Sequence, residues 1–140
     1  MSNAGRGFRT YLLTKSGVTD EVGTRIHRDH LPQDPTLPAV VFHVISDVKE
    51  HHMGGASLLA MARVQLDVIA ETFGAAQDAA EAIRNAADGY SGTMGSEYAQ
   101  TCQLDSQQHE AEDPQDASDA YRWVISQDWI ISITETAPTL

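Results

Sequence analysis

The sequence predicts an α+β fold: a four-stranded antiparallel sheet with helices packed on one face, in the order α-β-β-α-β-β. Three observations predict it. Residues 39–48 and 60–70 alternate strictly between apolar and polar positions, the period-2 signature of strands with one wet face. Residues 75–88 switch to a helical period, with Ala76, Ala79, Ala80, Ile83, Ala86 and Ala87 on one side. Residues 121–134 alternate again and place Tyr121, Trp123, Ile125, Trp129, Ile131 and Ile133 on one face. At 140 residues the chain has room for one domain, spanning 1–140, with a core that needs no covalent staples.

The elements follow in order. Ser2, Asn3 and Ala4 after Met1 match an expression scar, and residues 1–6 are expected to be disordered or tag-derived. Phe8, Tyr11 and Leu12 share one helical face, and Gly17 after Ser16 supplies a stop. A short turn of helix capped by Thr19 or Asp20 is expected next, ending at Gly23. Residues 24–38 hold Pro32, Pro35 and Pro38 and read as an extended connector, with a short strand beginning at Ile26.

In the first long strand Val40, Phe42, Val44, Ser46 and Val48 share the buried parity, and His43, Asp47 and Lys49 the wet one. In its partner Ala60, Ala62, Val64, Leu66, Val68 and Ala70 face inward, opposite Arg63, Gln65 and Asp67. Residues 49–57, with Gly54 and Gly55, are the expected connection, a long flexible hairpin loop. After the alanine-rich helix, Asp88 and Gly89 form a stop. Tyr98, Cys102 and Leu104 then mark a weaker strand, and residues 105–119 an acidic loop.

Nine Lys and Arg against twenty Asp and Glu leave a net charge of −11, a balance that argues against autonomous nucleic-acid binding. No apolar run approaches the ~20 residues of a membrane span, and the N-terminus carries no apolar signal core. The expectation is a soluble, acidic, intracellular domain. A single cysteine, Cys102, excludes an internal disulfide and a multi-cysteine zinc site.

Among six histidines, His27 and His30 have HxxH spacing but lie in the proline-rich connector, where that spacing does not converge two imidazoles. His51 and His52, being adjacent, point to opposite sides if extended. His43 takes the ordinary place of a polar-face histidine, so no metal and no cofactor are expected. Cys102 sits at a buried parity, where free cysteine acts as a small hydrophobe. Glu110, Glu112, Asp113, Asp116 and Asp119 cluster without a basic partner, as a solvated run does. The glycine pairs lack the strand–glycine–helix setting of a phosphate loop. No catalytic signature results, and the chain reads as a non-enzyme.

Features of assembly are better represented. The loop at 49–57 carries His51, His52 and Met53, adaptable groups for a neighbour. Arg63 and Asp67, two apart on one strand face, are placed to meet opposite charges across a subunit boundary or to remain solvated. A long apolar last strand, if at an edge, is a template for pairing with another subunit.

The order of pieces then carries a family likeness. Arg25-Ile26 leads through the prolines to Leu37-Pro38-Ala39-Val40-Val41-Phe42, then Ser46-Asp47 and Gly54-Gly55-Ala56. Ala62-Arg63-Val64-Gln65-Leu66-Asp67-Val68, the helix at 75–83, Asp88-Gly89-Tyr90 and Tyr121-Arg122 follow. Over residues 18–133 this resembles the tail-completion (tail-terminator) family of long-tailed bacteriophages, prophages and gene transfer agents. The resemblance implies a subunit of a ring, a hexamer in that family, on the head-proximal end of the tail tube. Such a ring caps the tube, ends its growth and docks to the head–tail connector. The implied partners are the chain itself, the major tail tube protein, the connector protein, and DNA passing the lumen without specific binding; no membrane is involved. The implied location is the virion tail or neck, and the bacterial cytoplasm during assembly. The family carries no catalytic residues to transfer. The candidate contacts are therefore His51, His52, Met53, Arg63 and Asp67. Another neck or head-closure role is the nearest alternative, and a ligand-binding α+β domain with a deep pocket the more distant one.

Overall fold

The computed structural model describes residues 4–52, 55–112 and 122–134, with residues 50–52, 55–58 and 112 among them by backbone alone. The elements run α1 (Ala4–Leu13), α2 (Ser16–Val22), β1 (Ile26–Arg28), β2 (Ala39–His52), β3 (Gly55–Ala70), α3 (Phe73–Ala87), β4 (Gly92–Met94), β5 (Glu97–Glu112) and β6 (Arg122–Thr134). The strands form one six-stranded sheet in the order β1-β2-β3-β6-β5-β4, curled into a half-barrel. β1 runs parallel to β2, and every other pair is antiparallel.

This overturns the four-stranded antiparallel sheet in the order α-β-β-α-β-β. The sheet is mixed, has two more strands, and the chain begins with two helices and a parallel edge strand. The physical reason is length. β1 and β4 have three residues each, too few for an alternation to register, and their ladders come from tertiary pairing. Arg25 Nε donates to the Pro38 carbonyl at 2.9 Å and Arg9 Nε to the Ile26 carbonyl at 2.7 Å, holding β1 beside β2. α2 starts at Ser16, ahead of the expected caps at Thr19 or Asp20. α1 includes Ala4 and Gly5, both buried, within the stretch expected to be disordered or tag-derived.

One core lies between the sheet and the three helices. Phe8, Tyr11 and Leu12 of α1, Val18 and Val22 of α2, and the alanines and Ile83 of α3 meet the inward residues of β2, β3, β5 and β6. Phe8 meets Trp129 edge to face at a centroid distance of 5.2 Å. The alanine face brings α3 close enough for a sheet side chain to reach its backbone. Gln127, fully buried on the apolar parity of β6, donates to the Ala80 carbonyl at 3.0 Å and accepts from Trp129 Nε1 at 3.1 Å. At the N-terminus of α3, Thr72 Oγ1 accepts from the Ala75 N–H at 3.1 Å.

Two departures matter for function. β2 continues to His52 and β3 begins at Gly55, with His51 opposite Ala56 and His52 opposite Gly55, so strand takes up most of the loop expected at 49–57. β5 likewise runs on to Glu112 through the first half of the expected acidic loop; residues 113–119 of that loop lie outside the described residues. A bulge between Val44 and Ser46 inserts Ile45 and reverses the parity of β2. Asp47 and Lys49 therefore oppose the inward Ala62 and Ala60, while Val48 opposes Met61 on the other face.

Candidate interaction surface

The sheet face away from the helices changes character along its strands. At one end Val41, Ile69 and Val124 are covered by Leu31 and Leu37 of the connector. At the middle lies a polar network. Asp67, on β3, accepts from Ser126 Oγ at 2.7 Å and from Gln65 Nε2 at 2.9 Å, and its other oxygen lies 3.2 Å from His43 Nε2. The second ring nitrogen of His43 lies 3.5 Å from Asp29. Four residues along β3 from Asp67, Arg63 sits 3.2 Å from Asp105 and 3.8 Å from Asp128. Two shallow recesses mark this zone, about 150 Å³ beside Gln65, Gln108 and Asp128 and about 80 Å³ beside His109 and Glu110. Both are well below the ~300–1,000 Å³ of a small-molecule site.

At the far end the same face is apolar and exposed. Val48 and Met61 oppose each other across β2 and β3, with exposures of 59% and 46%. Leu59 and Tyr98 flank Thr134 in the next rows and are also exposed. Ile45, in the bulge, adds a fifth apolar side chain at 53% exposure. The alternation by itself places Val48 inside, so the sequence does not display this patch. The adjacent pair Val44-Ile45, two apolar residues in register with neither parity, was the visible signal of the bulge.

The candidate contacts fall as follows. Arg63 and Asp67 lie on this face, each with charged or polar partners in its own chain. His51 and His52 pair by backbone at the end of β2, next to the apolar patch in sequence; Met53 lies outside the described residues. His27 is in β1, and His109 packs on Phe73 at a centroid distance of 5.4 Å. Cys102 is buried, and burial with Asp88 nearby pushes its thiol pKa up to about 12. Among the described residues no helix is long and apolar enough to cross a membrane.

Both sheet edges are only partly covered. β1 lies against β2 at residues 40–42, and β4 against β5 at residues 97–99. The turn after α3 adds the Gly89 N–H to the Cys102 carbonyl and Asp88 Oδ1 to the Leu104 N–H. Beyond these points no described strand lies on the outer side of β2 or β5.

A sheet of this build, spanning nearly the whole chain, matches the family described as tail completion protein gp17 over residues 8–132. The chain belongs to that family. As a member it is a structural protein of a phage-type virion tail, with its place in virion assembly. Among solved structures it is similar to a chain from the "virion of native gene transfer agent (GTA) particle", at 17% identity and a TM-score of 0.70. That likeness covers 95% of this chain and 99% of the other, and it concerns the fold. No curated protein matches the chain.

Proposed function

We propose that this tail completion protein caps the head-proximal end of the tail tube as an oligomeric ring, a hexamer, which ends tube growth and docks to the head–tail connector. Family membership across residues 8–132 carries the reading, because it takes in α3, the strands β1 to β5 and all but the last two residues of β6. The ring needs no chemistry. A heterologous interface repeated around an axis yields two unlike faces, one for the tube and one for the connector. The protein acts by shape, without catalysis and without a cofactor, first in the bacterial cytoplasm during assembly and then in the tail.

The surface supports this reading in two ways. Val48, Met61, Leu59, Tyr98 and Ile45 form a cluster of exposed large apolar residues, the kind that marks an interaction site. The polar middle of the same face carries Asp67, Asp105 and Asp128 against Arg63, in keeping with a chain of charge −11. A lumen lined by such a surface repels DNA from the wall and lets it slide. His51 and His52, at the end of β2, Met53, next to them in sequence, and Arg63 and Asp67 are the residues assigned to ring or tube contact.

Co-purification tests the placement. Tagged protein is expected to retain the major tail tube protein and the connector protein. Retention of head proteins alone, with no tube protein, would move it to a head-closure position.

A further inference from the structure

The connector between β1 and β2 crosses the end of the open face. There Val41 of β2, Ile69 of β3 and Val124 of β6 form a buried apolar strip on the side of the sheet away from the helices. Leu31 and Leu37 of the connector pack on the strip, and both keep part of their own surface in water. This small cluster is separate from the main core, which the three helices seal from the other side.

The connector is fastened at its ends and loose between them. At its start the Asp29 N–H donates to the Phe42 carbonyl at 2.9 Å, and the Asp29 carboxylate lies 3.5 Å from His43 Nδ1. At its finish the Pro38 carbonyl accepts from Arg25 Nε at 2.9 Å, and Ala39 opens β2. Among the described residues no hydrogen bond joins residues 31–37 to anything else. Pro32 and Pro35 have no N–H to offer a ladder. Two leucines alone therefore hold the middle down.

Backbone conformation adds a second observation. Asp29 and Asp34 have φ of 66° and 53°, and among the described residues they are the non-glycine positions with positive φ. Both fall in the connector. A side chain held in the left-handed region is strained, and such positions persist only where their surroundings impose them. Lifting the middle of the connector releases Asp34. A segment with few buried apolar contacts and no ladder opens far more cheaply than the whole domain unfolds. The prolines restrict the opened chain as well, so closing again loses little conformational entropy.

We propose that residues 30–37 are a strap that opens and closes over the Val41, Ile69 and Val124 strip while the anchors at Asp29 and Pro38 and the main core stay in place. Closed, the strap keeps the strip out of water. Open, it leaves the face apolar at both ends, with the Asp67 network between them. The strap thus sets how much apolar surface this face offers. It acts within one chain, so it goes beyond the ring reading and holds with or without a ring.

Thiol labelling tests it. Val124→Cys places a reporter under the strap, and native Cys102, buried in the main core, reports global unfolding. A thiol reagent is applied in water and in rising urea, and each site is followed by peptide mass spectrometry. Position 124 is expected to react about a hundredfold faster than Cys102 in water. Its rate should change little with urea below the unfolding transition, while that of Cys102 climbs, because the urea slope follows the surface exposed. Leu31→Ala or Leu37→Ala is expected to speed the reaction at position 124 by about tenfold, by weakening the closed state. Val41→Cys, on another strand of the strip, repeats the measurement if the first variant folds poorly. Rates at both positions equal to that of Cys102, with the same urea dependence, would show that the strip opens only with the whole domain and overturn the proposal. Fast labelling that neither leucine substitution changes would show the reagent arriving without strap movement, and would overturn it too.

Discussion

Gly7 is the residue whose replacement most sharply tests how the sheet and helices meet. It lies in α1, where glycine ordinarily costs about 0.5–1 kcal/mol relative to alanine. By helix propensity alone, Gly7→Ala should stabilise the protein. A Cβ built there falls 2.5 Å from the Met94 carbonyl oxygen, a backbone atom of β4 that no rotamer change can move. Restoring an ordinary 3.4 Å contact requires α1 to lift by about 0.9 Å from the edge of the sheet. That shift disturbs Phe8 against Trp129, and over-packing of this kind costs about 1–3 kcal/mol. The net expectation is a loss of about 1–2 kcal/mol, or roughly 3–8 °C in Tm for a chain of this size. Gly74 is the control: it lies in the first turn of α3 with nothing within 4 Å of the added carbon, so Gly74→Ala is expected to leave stability unchanged or raise it by about 0.5 kcal/mol. Urea unfolding of both variants reads the two signs. Equal stabilisation by both substitutions would refute the close approach of α1 to β4.

Other outcomes follow from the interior and the polar face. Gln127→Leu is expected to cost about 1–3 kcal/mol despite added hydrophobicity, because the buried Trp129 Nε1 loses its acceptor; denaturant unfolding measures it. Arg63→Ala is expected to change stability by less than about 1 kcal/mol, since its ion pairs are solvent-exposed. Asp67→Ala should cost more in the same assay, because it strands Ser126, Gln65 and His43 together. Cys102 should resist a thiol reagent at pH 8 by at least a hundredfold relative to the unfolded chain, since its thiol titrates near 12. The same shift gives a sign for pH. The unfolded thiol ionises near its ordinary 9 while the folded one stays protonated, so this contribution to stability is complete below pH 9 and is lost as pH rises toward 12. Tyr11, also raised by burial, acts in the same direction above its usual 10.

The long elements were legible because their cores impose a period. β2, β3, β6 and α3 each bury one parity or one stripe, and the alternation of Val40 and Phe42 with Val64, Leu66 and Val68, or the spacing of Ala76, Ala80 and Ile83, records it. The rest depends on partners rather than pattern. Residues 105–112 carry almost no apolar residue, yet they are strand because β6 supplies a ladder to every one from Ser106 to Glu112. Ile26, His27 and Arg28 are strand only because β2 lies beside them. The apolar end of the open face was hidden by one inserted residue, Ile45, which turned Val48 outward and Asp47 inward. Arg63 and Asp67 were recognisable as polar-face residues, but their partners Asp105, Asp128 and Ser126 come from strands whose register the sequence does not display.

The central claim is that this protein ends a tail tube, and polymerisation of the tube measures that most directly. Purified major tail tube protein is assembled with and without this chain, and tube lengths and ends are imaged by electron microscopy. The expected result is shorter tubes that carry an extra ring at one end only. Tubes of unchanged length with two bare ends, at protein concentrations where the chain is folded and oligomeric, would contradict it.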